Sequence, residues 1–89
     1  MIDKGRGAYK ALKMELARMA YNARDLAEVL DRSMPYVQTR LRGADVFDLL
    51  EAYKILELLN LPDSQLPVIF PRDPFEDVSG PAYRARRVQ

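Results

Sequence analysis

The chain has 89 residues, 48% of them hydrophobic and 30% charged, with 14 Lys and Arg against 13 Asp and Glu; that is room for one compact domain and too little for a second core. It has neither Cys nor His, which excludes disulfides and thiolate chemistry and removes the two best ligands for zinc and other transition metals, so no metal and no cofactor is expected. No run nears the roughly 18 to 20 apolar residues that span a bilayer, and Met1–Gly7 is too polar for a secretory signal, so a cytoplasmic protein without a membrane partner is expected.

The net charge of +1 hides an uneven distribution. Lys and Arg stand against Asp and Glu 5 to 2 in residues 1–22, 4 to 3 in 23–43, 1 to 4 in both 44–61 and 62–80, and 3 to 0 in 81–89. A basic front half and a basic tail form a modest electrostatic footprint for a polyanion.

In chain order, Tyr9, Leu12, Leu16 and Met19 or Ala20 recur at three- and four-residue steps, which predicts a first helix from about Ala8 to Tyr21. Asn22 then offers a side-chain cap, with Asp25 at the third helical position to complete a capping box. The second helix should bury Leu26, Ala27 and Val29 or Leu30, and end near Asp31. Ser33 caps a third helix from about Met34 to Arg42, with Pro35 in the first turn, where a missing N–H costs nothing. Val37 and Leu41 face inward together, and Gly43 ends this helix in the left-handed conformation. Asp48 and Glu51 repeat the capping box before a fourth helix, about Leu49 to Asn60, whose apolar stripe is Leu49, Ala52, Ile55, Leu56 and Leu59. Pro62 stops it, and Asp63 to Leu66 can add one further turn. Val68-Ile69-Phe70, between two prolines, is expected to be a short extended segment. The domain is expected to close at about residue 70, with Arg72 to Gln89 a tail of uncertain order.

Two short helices joined by the tight Asp31-Arg32-Ser33 turn have the spacing of a helix-turn-helix. Small Ala27 lets the helices cross closely, and Val37 wedges into the crossing from the second. Tyr9-Lys10-Ala11-Leu12-Lys13, Asp25-Leu26-Ala27-Glu28-Val29-Leu30, Ser33-Met34-Pro35-Tyr36-Val37, Arg40-Leu41-Arg42-Gly43 and Phe47-Asp48-Leu49-Leu50-Glu51-Ala52 resemble the lambda-repressor/Cro (Xre-type) regulators of phages and prophages. The resemblance covers about Ala8 to Phe70. It implies an all-α, four- to five-helix lambda-repressor-like bundle, to which the residue pattern adds the short extended C-terminal segment, together with operator binding, frequent dimerisation, and a role as repressor or Cro-like protein.

The same resemblance puts base-reading side chains at Met34, Pro35, Gln38 and Thr39. Gln can pair bidentately with adenine in the major groove, Thr can bond a base or touch a thymine methyl, and Arg40 or Arg42 can reach guanine or phosphate. Arg24, at the start of the second helix, is expected near phosphate. Met34-Pro35 departs from the polar pair usual in the family and shifts part of the readout to thymine methyls. Tyr36 has two readings, a phosphate donor or a brace against a neighbouring helix. Arg84-Ala85-Arg86-Arg87 is either a solubilising end or a backbone contact, and Val68-Ile69-Phe70 either covers the bundle or pairs with a second chain in a homodimer. The acidic residues Asp48 and Glu51 are accounted for as caps, so no catalytic pair and no small-molecule substrate is expected. The competing reading is a protein-interaction module, such as an antirepressor or antitoxin component, on a helix-turn-helix that no longer reads bases.

Overall fold

The computed structural model describes residues 7–75. Five α-helices lie among them: α1 Lys10–Arg18, α2 Ala23–Leu30, α3 Met34–Leu41, α4 Leu49–Leu58 and α5 Leu66–Ile69, the last preceded by a 3₁₀ turn over Asp63–Gln65. No strand occurs among the described residues. None of the helices is long and apolar enough to cross a membrane.

The starts of α2, α3 and α4 follow local capping chemistry. Asn22 accepts from the Asp25 amide at 3.1 Å while the Asp25 carboxylate accepts from the Asn22 amide at 2.7 Å. Asp48 and Glu51 repeat the exchange at 2.7 and 3.1 Å, and Ser33 Oγ accepts from the Tyr36 amide at 3.3 Å. Each bond satisfies a donor that the first helical turn would otherwise leave unpaired.

The ends of α1 to α4 share one device. Ala20, Asp31, Gly43 and Asn60 all take left-handed backbone, with φ of 61°, 56°, 83° and 60°. The following amides then reach back over the last turn, Tyr21 to Leu16 at 2.9 Å, Arg32 to Ala27 at 3.0 Å, Ala44 to Thr39 at 3.2 Å and Leu61 to Leu56 at 2.9 Å. This closure satisfies carbonyls the helix cannot. Only one of the four residues is Gly, and Ala20 bears the steric cost of about 1–2 kcal/mol for an L-residue in that region.

The core gathers Leu12 and Leu16 from α1, Leu26, Ala27 and Leu30 from α2, Val37 from α3, Ile55, Leu56 and Leu59 around α4, and Ile69 from α5. Of the alternatives on α2, Leu30 is the buried one and Val29 faces out. Leu41, expected to be buried, is half-buried in the last turn of α3. Leu49, expected on the inward stripe of α4, is 60% exposed; side chains lean toward a helix N-terminus, which carries a first-turn residue beyond the edge of the core. Tyr9, Phe47 and Phe70 form a triangle of edge-on rings with centroids 5.5–5.9 Å apart, tying the chain before α1 and the α3–α4 loop to the end of α5. Such pairs contribute about 0.5–1.5 kcal/mol each beyond their buried area.

Two expectations are corrected here. Val68 and Ile69 are helical and Phe70 follows the helix directly; Pro67 falls in the first turn of α5, where its ring is tolerated, so the 3₁₀ turn runs straight into a helix. Ile69 is 2% exposed, which leaves no free strand for pairing with a second chain. The first helix also begins later than expected, at Lys10, because Tyr9 adopts φ 49° and donates its amide to the Pro74 carbonyl at 2.6 Å. That bond brings residues 71–75 back onto the bundle. Pro71 is buried, and Phe75 lies over Gly43, where an added Cβ would sit 2.7 Å from its ring and 2.9 Å from the Ala8 Cβ. Arg84, Arg86 and Arg87 lie outside the described residues.

Candidate nucleic-acid interface

The crossing of α2 and α3 presents α3. The two helices pack together, Ala27 is 7% exposed and Val37 fully buried in the shared core, so the three-residue turn Asp31–Ser33 leads into an α3 with one face fixed inward. The opposite face is set by helical periodicity. Pro35, Gln38 and Arg42 are all exposed and stand at steps of three and four, one stripe along the helix and its C-cap. Met34 and Thr39 are half-buried on its flanks. Between Arg32 and Ala44 there is no Asp or Glu, so the outward face of α3 has no carboxylate of its own. Arg24 is exposed in the first turn of α2.

Tyr36 and Arg40 are engaged inside the protein. The Arg40 guanidinium stacks over the Tyr36 ring, 3.4 Å from its centroid, and that of Arg32 lies 4.7 Å from it. Both are cation–π contacts. Arg40 also donates to the Tyr36 carbonyl and to Asp45, each at 3.3 Å, and its side chain is only 15% exposed. Its Nε is buried without an acceptor. The Tyr36 hydroxyl donates to Glu51 Oε2 at 2.5 Å. This bond, which is lost with the proton, raises the Tyr36 pKa above 10.0.

Glu51 is the centre of this group. It is 5% exposed, completes the α4 capping box, accepts from Tyr36, and lies 3.5 Å from Arg32 Nε. One carboxylate thereby joins α4 to α3 and to the turn before it. Tyr36 thus makes a bracing contact to α4, and Arg40 has Tyr36 and Asp45 as partners within the protein.

Compared with known proteins, the chain matches no family model, no curated protein and no solved structure.

The structure therefore brings Pro35, Gln38 and Arg42 together on one exposed stripe, with Thr39 and Met34 beside it and Arg24 on the preceding helix. It sets Tyr36 and Arg40 behind that stripe. Sequence reasoning accounted for Glu51 as a cap and missed its bonds to Tyr36 and Arg32. Those partners lie 15 and 19 positions away, beyond any helical or capping spacing; a carboxylate three places after a cap residue gave no sign of a second role.

Proposed function

We propose that the protein binds double-stranded DNA sequence-specifically with a lambda-repressor-like helix-turn-helix, α2 being the supporting helix and α3 the recognition helix, and that it serves as a phage or prophage transcriptional regulator. The observation that carries this reading is the exposed, carboxylate-free stripe Pro35–Gln38–Arg42 on a helix that follows a short turn and buries Val37 on its opposite face. A helix of this kind fits the major groove, where Gln38 can pair with adenine, Pro35 can touch a thymine methyl, and Arg42 can meet guanine or phosphate. Thr39 and Met34 flank the same bases, and Arg24 contributes to phosphate binding. Tyr36, Arg40 and Glu51 hold α3 rigid, which reduces the ordering cost of binding.

The test is binding to a randomised duplex pool followed by titration on selected and scrambled sites. The reading expects a selected site, and Gln38→Ala should lose about 1–3 kcal/mol on that site and little on the scrambled one. Absence of any salt-sensitive duplex binding would transfer the fold to the protein-interaction reading.

A further inference from the structure

Seven large apolar side chains are exposed among the described residues, and four of them, Val46, Leu49, Leu50 and Tyr53, fall between positions 46 and 53. Leu49 and Leu50 stand four and three places before Tyr53, so the three share an outward side of α4, and Val46 extends it. Apolar side chains gathered in this way are uncommon on a surface that meets only water. Carboxylates surround the patch. Asp45 and Asp48 precede α4, while Glu57, one turn beyond Tyr53, lines a shallow depression with Tyr53, Lys54 and Asp63. Glu57 and Asp63 form no ion pair among the described residues, and Lys54 is the only cation in the sequence between Arg42 and Arg72. The chain leaves the described fold close by. The Pro74 carbonyl accepts from the Tyr9 amide, the Tyr9 ring packs on Phe47, and Phe75 lies over Gly43, which sets residue 75 against the α3–α4 loop that carries Val46.

We propose that residues 81–89 dock on the Val46–Tyr53 face of their own chain, Tyr83 and Val88 covering its apolar side chains and Arg84, Arg86 and Arg87 meeting the carboxylates around it. Residues 76–89 span about 50 Å at most, more than the longest dimension of the fold, 39 Å, so the tether excludes no surface and chemistry makes the choice. Residues 81–89 hold three cations and no carboxylate. On α1 they would meet Lys10, Lys13 and Arg18 against Glu15 alone, and α3 with its C-cap has Arg40 and Arg42 and no carboxylate. Glu28 and Asp31 make α2 acidic, but Val29 is its one exposed large apolar side chain. The start of α4 alone joins an apolar patch to an excess of carboxylates. Docked there, the segment keeps its three arginines off any phosphate backbone, a role distinct from both readings the sequence leaves open for it. The contact does not depend on whether α3 reads bases.

Disulfide trapping in the full chain decides it, since the sequence has no Cys of its own. Lys54→Cys with Gln89→Cys puts one thiol on the face and the other just past Val88; Met14→Cys with Gln89→Cys puts the first on α1 instead, at a site 60% exposed. With each rate corrected for the reactivity of the single thiols, the 54–89 pair should close within one chain at least about tenfold faster than the 14–89 pair, an excess that tethering alone does not give. Adding Leu50→Lys to the first pair, or exchanging Arg84, Arg86 and Arg87 for Glu, should bring the two rates within about twofold while circular dichroism stays unchanged. Equal rates for the two original pairs would leave the face to another protein and overturn the proposal, as would a 54–89 rate indifferent to Leu50→Lys and to the arginine exchange. Disulfides that form between chains and not within one would give the face to a second copy and overturn it equally.

Discussion

Replacing Gly43 by Ala tests the closure of α3 and the docking of the C-terminal turn in one step. Gly43 has φ 83°, a region that costs an L-residue about 1–2 kcal/mol. The new Cβ would stand 2.7 and 2.8 Å from Phe75 ring carbons and 2.9 Å from the Ala8 Cβ. Phe75 is 42% exposed and can swing aside at the loss of its own contacts, whereas Ala8 is fully buried and has nowhere to go. Overpacking of this kind costs about 1–3 kcal/mol, so Gly43→Ala should lose about 2–5 kcal/mol in all. For a domain of this size each kcal/mol lowers Tm by about 4–8 °C, a fall of roughly 8 °C at the least. Thermal and urea melts followed by circular dichroism measure it. Phe75→Ala separates the two contributions: in that background Gly43→Ala should cost less, since only the backbone strain and the Ala8 contact remain, and the two substitutions should be non-additive. A Gly43→Ala variant melting within about 2 °C of the parent, or two strictly additive costs, would refute the packing of Phe75 over Gly43.

Tyr36→Phe and Glu51→Gln should also be non-additive in a double-mutant cycle, because the first removes the donor of their shared bond and the second trades its charged acceptor for a neutral amide; simple additivity would dissolve the proposed brace. The folded chain holds the Tyr36 proton through Glu51 and the Tyr9 proton through burial, both above 10.0, so the stability this gives is complete below about pH 10 and is lost as pH rises through the folded values. Urea midpoints should fall in that alkaline window, and less steeply for Tyr36→Phe; parallel curves would count against it. Ala20→Gly, at φ 61°, should raise stability by about 0.5–1 kcal/mol, the strain relieved less the extra entropy of Gly, read as a higher urea midpoint. On DNA, Arg42→Ala should lower the slope of log affinity against log salt by about 1, whereas Arg40→Ala should leave the slope unchanged and lower Tm instead; the reverse pattern would place Arg40 on the phosphates.

The sequence by itself determined what nearest neighbours decide. The caps Asn22, Ser33 and Asp48 with Asp25 and Glu51, the tolerance for Pro35, the turn at Gly43 and the inward phase of Val37 all follow from chemistry within about one helical turn. The all-helical class and the exposed face of α3 follow from those signals in turn. Tertiary structure alone decided the rest. The stacking of Arg40 on Tyr36 and its bond to Asp45 leave no mark in the sequence, and Val68–Phe70 is as apolar in a strand as in the short helix that buries Ile69. The Tyr9 amide meets Pro74 across 65 positions and Gly43 meets Phe75 across 32. Contacts at such separations leave no periodic trace in a single chain, because what fixes them is the shape of the space left once the helices have packed.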